Sequence, residues 1–146
     1  MKVEKINDEN KMMVINLLNN VNGLTIENHI LNNCCVLLND SEDIVGTISY
    51  EQYDNIAIVR YFVFKRNVMN DELLYLYNFL EKELRIKKIE NVAAIINSNE
   101  VKDVFEYLGF RKIDKNKVYF DETVFMKTHY KDNDIYLKKC DNNFLY

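Results

Sequence analysis

Seven residues at 104–110, which read VFEYLGF, constrain the fold of this chain more than any other feature. They follow the apolar run VAAII at 92–96 after a polar break at 97–99. A short apolar run of this kind predicts a buried strand, and the amphipathic segment after it predicts a helix that ends at Gly109. The region therefore predicts a strand, a helix and a second strand in succession.

The hydrophobic spacing of the remaining chain predicts further strands and helices. The run at 56–64 is too continuously apolar and β-branched for an edge strand, so we predict that it is central. Turn-forming residues at 39–43 separate two strand-like runs and predict a hairpin. The predicted strands are 3–6, 34–38, 44–50, 56–64, 92–96 and 110–113, with a closing run at 118–129. The predicted helices begin at Asn7 or Asp8, at Thr25, at about Asn70 and at Asn99. This order predicts the α+β class, a three-layer α/β arrangement in which helices flank a mixed, mostly antiparallel central sheet.

The charge balance of the chain argues against two classes of partner. The net charge is −4 and the pI is about 5.2, so bulk electrostatics oppose binding to nucleic acid or to an anionic membrane surface. No run of about 18 apolar residues occurs, and the first ten residues do not resemble a secretion signal. We therefore expect no nucleic-acid partner, no membrane partner and a cytoplasmic location.

The length of 146 residues fits one domain with one core. We predict that this domain covers residues 1–130 and that a C-terminal tail follows at 131–146. The tail is charged at first and ends in Phe144, Leu145 and Tyr146. It is expected to lie on its own domain, to pack on a partner chain or to add an edge strand through 134–138.

The cysteines and histidines indicate neither a disulfide framework nor a metal site. Cys34 and Cys35 are adjacent and Cys140 stands alone, without CxxC spacing. Because Cys34 and Cys35 open a predicted strand, we expect one to pack in the core and the other to face outward. His29 and His129 have no cysteine or carboxylate at ligand spacing, so we predict no metal.

The order of the predicted elements and the wording VFEYLGF resemble the GNAT superfamily of N-acetyltransferases, whose corresponding stretch usually reads lYeklGF. The resemblance runs from about Val3 to His129 and includes Gly46 of IVGTISY, where the family often has a glycine in its third strand. It implies a GNAT-like sheet, acetyl-CoA as co-substrate, and acetyl transfer to a primary amine of a small molecule or peptide.

In this family, backbone N–H groups of a loop written Q/R-x-x-G-x-G/A hold the pyrophosphate of coenzyme A at a helix N-terminus. The corresponding loop reads KRNVMNDE at 65–72, and with Arg66 at the first position Met69 and Asp71 replace the small residues. The pantetheine arm is expected between the strands at 56–64 and 92–96. The residues expected to contact the cofactor are Phe62, Val63, Lys65, Arg66, Asn67, Val68, Met69, Asn70, Asp71, Asn97, Asn99 and Phe105.

Two departures from the family pattern leave the function open. Asp71 and Glu72 bring negative charge into the first helical turn, where it opposes a pyrophosphate, although the cations at 65–66 offset it in part. The loop therefore has two interpretations, a divergent phosphate site or an ordinary helix start capped by Asn70 or Asp71. Phe105 stands where the family commonly has a tyrosine near the leaving thiolate of coenzyme A.

No general base is apparent in the sequence, so the catalytic residues stay unassigned. The predicted central strand carries no carboxylate, and Glu27, Glu51 and Asp54 are expected to be solvated surface. Two functions are compatible with these features. One is an acyl-CoA-dependent N-acyltransferase with an amine acceptor. The other is a non-catalytic GNAT-like binding or interaction module that has lost the coenzyme A loop and forms a homodimer through the sheet edge or the tail.

Overall fold

A computed structural model of the chain describes residues 1–114, 119–120, 123–124 and 133–140. The helices are α1 (Lys11–Asn19), α2 (Asn28–Leu31), α3 (Asn70–Ile86) and α4 (Asn99–Tyr107). The strands are β1 (Lys2–Lys5), β2 (Cys35–Leu38), β3 (Ile44–Tyr53), β4 (Ile56–Phe64), β5 (Asn91–Ile96), β6 (Arg111–Ile113), β7 (Tyr119–Phe120), β8 (Thr123–Val124) and β9 (Asp134–Lys139). In the part of the chain that the structure describes, no helix combines the length and the apolar character needed to cross a membrane.

The main sheet has seven strands in the order β1-β2-β3-β4-β5-β9-β6, while β7 and β8 form a separate pair. The pairs β1–β2, β2–β3, β5–β9 and β6–β9 are antiparallel. Strands β4 and β5 are parallel, with Ile56, Ala57 and Ile58 opposite Asn91, Val92 and Ala93. The predicted class, a mixed and mostly antiparallel sheet flanked by helices, is confirmed, and so is the central position of β4.

The chain divides into two compact units. The first unit contains Met1–Glu51 and Arg60–Leu80, and the second contains Gln52–Val59 and Glu81–Tyr146. In the first unit, buried side chains of α1, α2, β2, β3 and β4 form a hydrophobic cluster that includes Leu18, Ile30 and Tyr61. In the second unit, a smaller cluster contains Ile58, Ala93 and Ile135. Each unit thus buries its own apolar side chains, the main source of folding free energy.

The segment VFEYLGF forms the end of α4. Gly109 has a φ of 101° and donates its N–H to the carbonyl of Glu106, while the N–H of Phe110 donates to the carbonyl of Phe105. This pair of hydrogen bonds is the Schellman motif, in which a glycine takes the left-handed conformation. The rings of Phe105 and Phe110 pack edge to face with centroids 5.0 Å apart. The predicted helix end at Gly109 is confirmed.

The C-terminal strand β9 is not an edge strand. It pairs with β5 along Asn91–Ile96 on one side and with β6 on the other, so the predicted strand at 134–138 forms but its predicted position at the sheet edge is wrong. Ile135 and Tyr136 are buried in this internal strand. The predicted domain boundary at residue 130 and the apolar end of the tail lie outside the described residues.

All three cysteines are buried and free of disulfides. The expectation that Cys34 or Cys35 faces outward is wrong, because all four residues of β2 are buried and Cys34, just before it, is buried as well. Burial raises the pKa of the Cys34 and Cys140 thiols to about 11. These two thiols are therefore poor nucleophiles at neutral pH.

We expect Gly109→Ala to lower the free energy of unfolding by about 1–3 kcal/mol, the range for a residue held in a strained conformation. An added Cβ would lie 3.2 Å from Cε of Lys138, whose Nζ donates at 2.9 Å to the buried carboxylate of Glu81. The control is Gly23→Ala, because Gly23 also has a positive φ but nothing within 4 Å of an added Cβ. Urea denaturation measures both variants, and an equal loss for the two would contradict a role for the Lys138 contact.

Candidate functional site

The loop expected to hold the cofactor's diphosphate is a short turn between β4 and α3. The N–H of Lys65 donates to the carbonyl of Val45 at 2.9 Å, and the N–H of Val68 donates to the carbonyl of Lys65 at 3.1 Å. The side chain of Val68 is buried, whereas Lys65, Arg66 and Asn67 are exposed. The turn is therefore anchored at both ends and presents two cations to solvent.

Helix α3 begins with a cap that the sequence did not predict. The residue before the helix is Met69, whose N–H donates to Oε1 of Glu72 at 2.9 Å. The carbonyl of Met69 accepts from the N–H groups of Glu72 and Leu73. This arrangement is half of a capping box, since methionine cannot accept the reciprocal hydrogen bond. The predicted caps Asn70 and Asp71 lie inside the helix instead, and the Glu72 carboxylate occupies one donor that a bound anion would use.

A polar cleft of about 310 Å³ lies in the second unit where β5 ends and α4 begins. Ser98 caps α4, because its hydroxyl accepts the N–H of Val101 at 3.3 Å. Lys102 adds a positive charge, and Asp134 a negative one that pairs with Lys112 at 3.6 Å. The cleft offers amide, ammonium and carboxylate groups together, and it is lined by Ile96, Asn97, Ser98, Asn99, Lys102, Asn133 and Asp134.

The other residues predicted to contact the cofactor are distributed over both units. Asn97 and Asn99 both line the cleft, and their contact with a cofactor stays a prediction. Val63 packs its side chain against the hydrophobic cluster of the first unit, and Phe62 lies 5.1 Å from Phe64 between ring centroids. Phe105 is 3% exposed and packs on Phe110 rather than lining the cleft. The structure therefore gives Phe105 a role in ending α4.

Tyr61 has a left-handed backbone in the middle of β4, with a φ of 51°. Its hydroxyl accepts the N–H of Glu27 at 2.7 Å and donates to the carbonyl of Thr25 at 2.9 Å. Its carbonyl accepts the buried hydroxyl of Thr47 at 2.8 Å. Such an outlier costs about 1–3 kcal/mol and persists only where its surroundings hold it. Three hydrogen bonds do so here: two tie the segment before α2 to β4, and the third ties β3 to β4.

A charged cluster surrounds Arg60, the residue before Tyr61. Nη1 of Arg60 lies 2.8 Å from Oε1 of Glu51, and Nη2 lies 3.6 Å from Oε2 of Glu27. Nε2 of His29 lies 3.7 Å from the second oxygen of Glu51. The guanidinium lies over the Tyr61 ring, 5.7 Å from its centroid. We call Glu27, His29, Glu51 and Arg60 the Arg60 cluster.

The expectation that Glu51 is solvated surface is wrong, because its side chain is only 16% exposed. The hydrophobic pattern along the chain did not predict the Glu51–Arg60 ion pair, because its two members belong to different strands. One sequence feature could have predicted the pair: a carboxylate and a guanidinium flank the short turn between β3 and β4. The side chain of Glu27 is 46% exposed, which agrees better than that of Glu51 with the expectation of a solvated surface residue.

The described residues contain no group of three histidine, cysteine or carboxylate side chains arranged to hold a metal ion. His29 and Glu51 belong to the Arg60 cluster, and the positive guanidinium there opposes a second cation of high charge. His129, the other histidine of the chain, lies outside the described residues.

The sequence matches no protein-family model, and no curated protein is significantly similar to it. The fold, in contrast, is shared with many solved structures. An acetyltransferase of the GNAT family from Staphylococcus aureus Mu50 superposes with a TM-score of 0.72 at 17% identity, over 96% of this chain and 99% of that one. GCN5 from Tetrahymena superposes with a TM-score of 0.70 at 12% identity, over the full length of both chains.

A third similar structure contains ligands. N-acetylglutamate synthase from Neisseria gonorrhoeae, in complex with coenzyme A and N-acetyl-glutamate, superposes with a TM-score of 0.72 at 11% identity. The match covers 96% of this chain but only 35% of the synthase. These likenesses show that the chain has the GNAT fold, as the sequence resemblance predicted.

We expect Tyr61→Phe to lower the free energy of unfolding by about 1–3 kcal/mol, because the part-buried N–H of Glu27 loses its acceptor. The control is Tyr75→Phe, which removes a hydroxyl from a tyrosine that is 49% exposed and should change stability by less than about 0.5 kcal/mol. Chemical denaturation measures both. Equal effects would show that the bridge from Tyr61 to the 25–27 segment contributes nothing.

Proposed function

We propose that the protein is an acyl-CoA-dependent N-acyltransferase that transfers an acetyl group from acetyl-CoA to a primary amine of a small molecule or peptide. The observation that carries this proposal is the GNAT fold, shared with structures described as acetyltransferases and with a synthase bound to coenzyme A. Fold alone does not determine function, so the residues of the loop and the cleft supply the tests.

The residues present fit a diphosphate in part. Lys65 and Arg66 are exposed beside the start of α3, and the positive end of a helix favours an anion. Glu72 opposes it, because its carboxylate already accepts the N–H of Met69. We assign diphosphate binding to the 65–70 turn, and we propose the amides of Asn97 and Asn99 as polar contacts for a ligand in their own cleft.

The proposed reaction is an aminolysis. The neutral amine nitrogen attacks the thioester carbonyl, so a C–N bond forms while the C–S bond breaks. The amine loses one proton, and the coenzyme A thiolate ends as the thiol, which gives an amide and free coenzyme A. Binding and orientation of the two reactants account for much of the acceleration of such a transfer. We further propose a cytoplasmic location, with which the three free thiols agree.

We expect acetyl-CoA to bind the purified protein in a calorimetric titration, and Arg66→Ala to weaken the binding several-fold because a cation near the diphosphate is lost. At 100 times its Kd the ligand should stabilise the protein by about 2.7 kcal/mol, seen as a rise in Tm. The control is Lys82→Ala, which removes the same charge from an exposed position of α3. No binding at millimolar acetyl-CoA would overturn the proposal.

A second function, a binding or interaction module without coenzyme A, is favoured by the cap at α3. The Glu72 carboxylate satisfies the Met69 N–H within the protein, and the exposed Met69 side chain stands where the family has a small residue. A helix start that is satisfied internally has no need of a ligand. In this function a second copy of the chain is the proposed partner.

Glu72→Gln separates the two functions. The amide keeps an acceptor for the Met69 N–H but removes one negative charge, so a transferase should bind acetyl-CoA about 2–5-fold more tightly. Glu9→Gln, at an exposed position of the same unit, should leave the affinity unchanged. Calorimetry measures both variants. If Glu72→Gln leaves the affinity of a binding-competent protein unchanged, the diphosphate does not bind at the start of α3.

A further inference from the structure

The connection between α1 and α2 contains a tight turn at 21–24, and its two central residues are the only asparagine–glycine pair of the chain, Asn22 and Gly23. The N–H of Leu24 donates to the carbonyl of Val21 at 3.4 Å, which closes the turn. Gly23 is the one residue of the turn with a positive φ, 78°. These are the features of a type II turn, which favours glycine at its third position. Both central residues are exposed.

An asparagine that precedes a glycine has an intramolecular reaction open to it. The main-chain nitrogen of the glycine attacks the side-chain carbonyl carbon of the asparagine, so a C–N bond forms while the bond from that carbon to Nδ2 breaks. Ammonia leaves with the proton of the glycine N–H, and a five-membered succinimide ring remains. Water opens the ring to aspartate or to isoaspartate. Glycine favours the attack because it has no Cβ to crowd the nitrogen.

Both reacting groups of the pair are available in the folded chain. Within the described part of the structure, neither the side-chain amide of Asn22 nor the N–H of Gly23 makes a hydrogen bond. A Cβ added at Gly23 would have nothing within 4 Å, so the turn has space around it. One long hydrogen bond closes the turn, and an exposed turn held in this way opens at little cost in free energy. The fold therefore leaves the ring closure unhindered.

The two preceding asparagines differ in this respect. For Asn19 the attacking nitrogen would be that of Asn20, whose N–H donates to the carbonyl of Leu17 at 3.3 Å. For Asn20 it would be that of Val21, whose N–H donates to the carbonyl of Leu18 at 3.1 Å. Both nitrogens also belong to residues with a Cβ. The end of α1 thus protects these asparagines, and the turn after it does not protect the next one.

We propose that Asn22 is a site of spontaneous deamidation, in which the nitrogen of Gly23 closes the succinimide ring in the folded protein. Each product adds one negative charge to a chain whose net charge is −4. Isoaspartate also adds one main-chain carbon inside the turn. Because Leu24 and Ile26 pack against the hydrophobic cluster of the first unit, the turn must absorb this atom, at the expense of its closing hydrogen bond.

The test is incubation of the full chain in mildly alkaline buffer, with circular dichroism to confirm that the fold is kept. Cleavage after glutamate then releases the peptide 10–27, which contains five asparagines. We expect the peptide to gain the mass difference between an amide and an acid, and fragmentation to locate the gain at Asn22. The rate should rise with pH, because the attacking nitrogen must first lose its proton.

Matched variants identify the reacting residue. Asn22→Gln should abolish the gain, since glutamine would have to close a six-membered ring, which forms far more slowly. Asn20→Gln makes the same exchange at another exposed position and should keep the full rate. Asn22→Asp has the charge of the product without the added main-chain carbon, so its Tm should be nearly unchanged, whereas the isoaspartyl form should melt at a lower temperature.

Three results would overturn the site. The first is no gain in the folded chain under conditions in which the urea-unfolded chain gains the full mass. The second is a gain at Asn19 or Asn20 as fast as at Asn22, and the third is an unchanged rate in the Asn22→Gln protein. An isoaspartyl form that melts with the starting protein would overturn the effect on the turn. None of these measurements involves coenzyme A, so they are independent of the proposed transferase.

Discussion

The left-handed backbone of Tyr61 is the constraint on which the first unit's charged surface depends. A tyrosine with positive φ inside a strand costs about 1–3 kcal/mol, and a typical hydrogen bond returns about 0.5–1.5 kcal/mol. The three hydrogen bonds of Tyr61 can therefore offset the strain without a large surplus. They also fix the neighbouring Arg60 and the main chain of Glu27, so a local distortion of β4 positions charges from two separate segments. Distortions of this kind are over-represented near functional sites.

The segment VFEYLGF carries information about structure rather than chemistry. Phe105 and Phe110 occupy the two positions that make the hydrophobic contact of a Schellman motif, and Gly109 occupies the left-handed position between them. A ring is needed at 105 for packing, but a hydroxyl is not. The presence of phenylalanine there is therefore explained by the end of α4, and it argues neither for nor against acyl transfer.

Local features of the fold were predictable from the sequence, and non-local ones were not. The central position of β4, the start of α3 at Asn70 and the end of α4 at Gly109 each follow from hydrophobic continuity or from one helix signal. The internal position of β9 depends on pairing with β5, about forty residues earlier in the chain, which no local pattern encodes. The same limit applies to the candidate site. The loop at 65–72 was located from its place between a predicted strand and a predicted helix. The Arg60 cluster, in contrast, joins three segments, and the Glu72 carboxylate accepts a loop N–H of the kind that the family motif assigns to a ligand.

The cap at α3 weakens a diphosphate site without abolishing it, as the energies involved show. A phosphate oxygen that takes the Met69 N–H must displace the Glu72 carboxylate, and the loss of a helix cap costs about 0.5–2 kcal/mol. A cost of this size lowers the affinity by a factor of about 2 to 30. It is small beside the binding free energy of a micromolar ligand, which is about −8 kcal/mol. Because Lys65 and Arg66 lie beside the same helix start, the displaced carboxylate also has cations within its own loop to approach. The cap therefore argues for weaker coenzyme A binding, and it does not by itself convert the fold into a module without a cofactor.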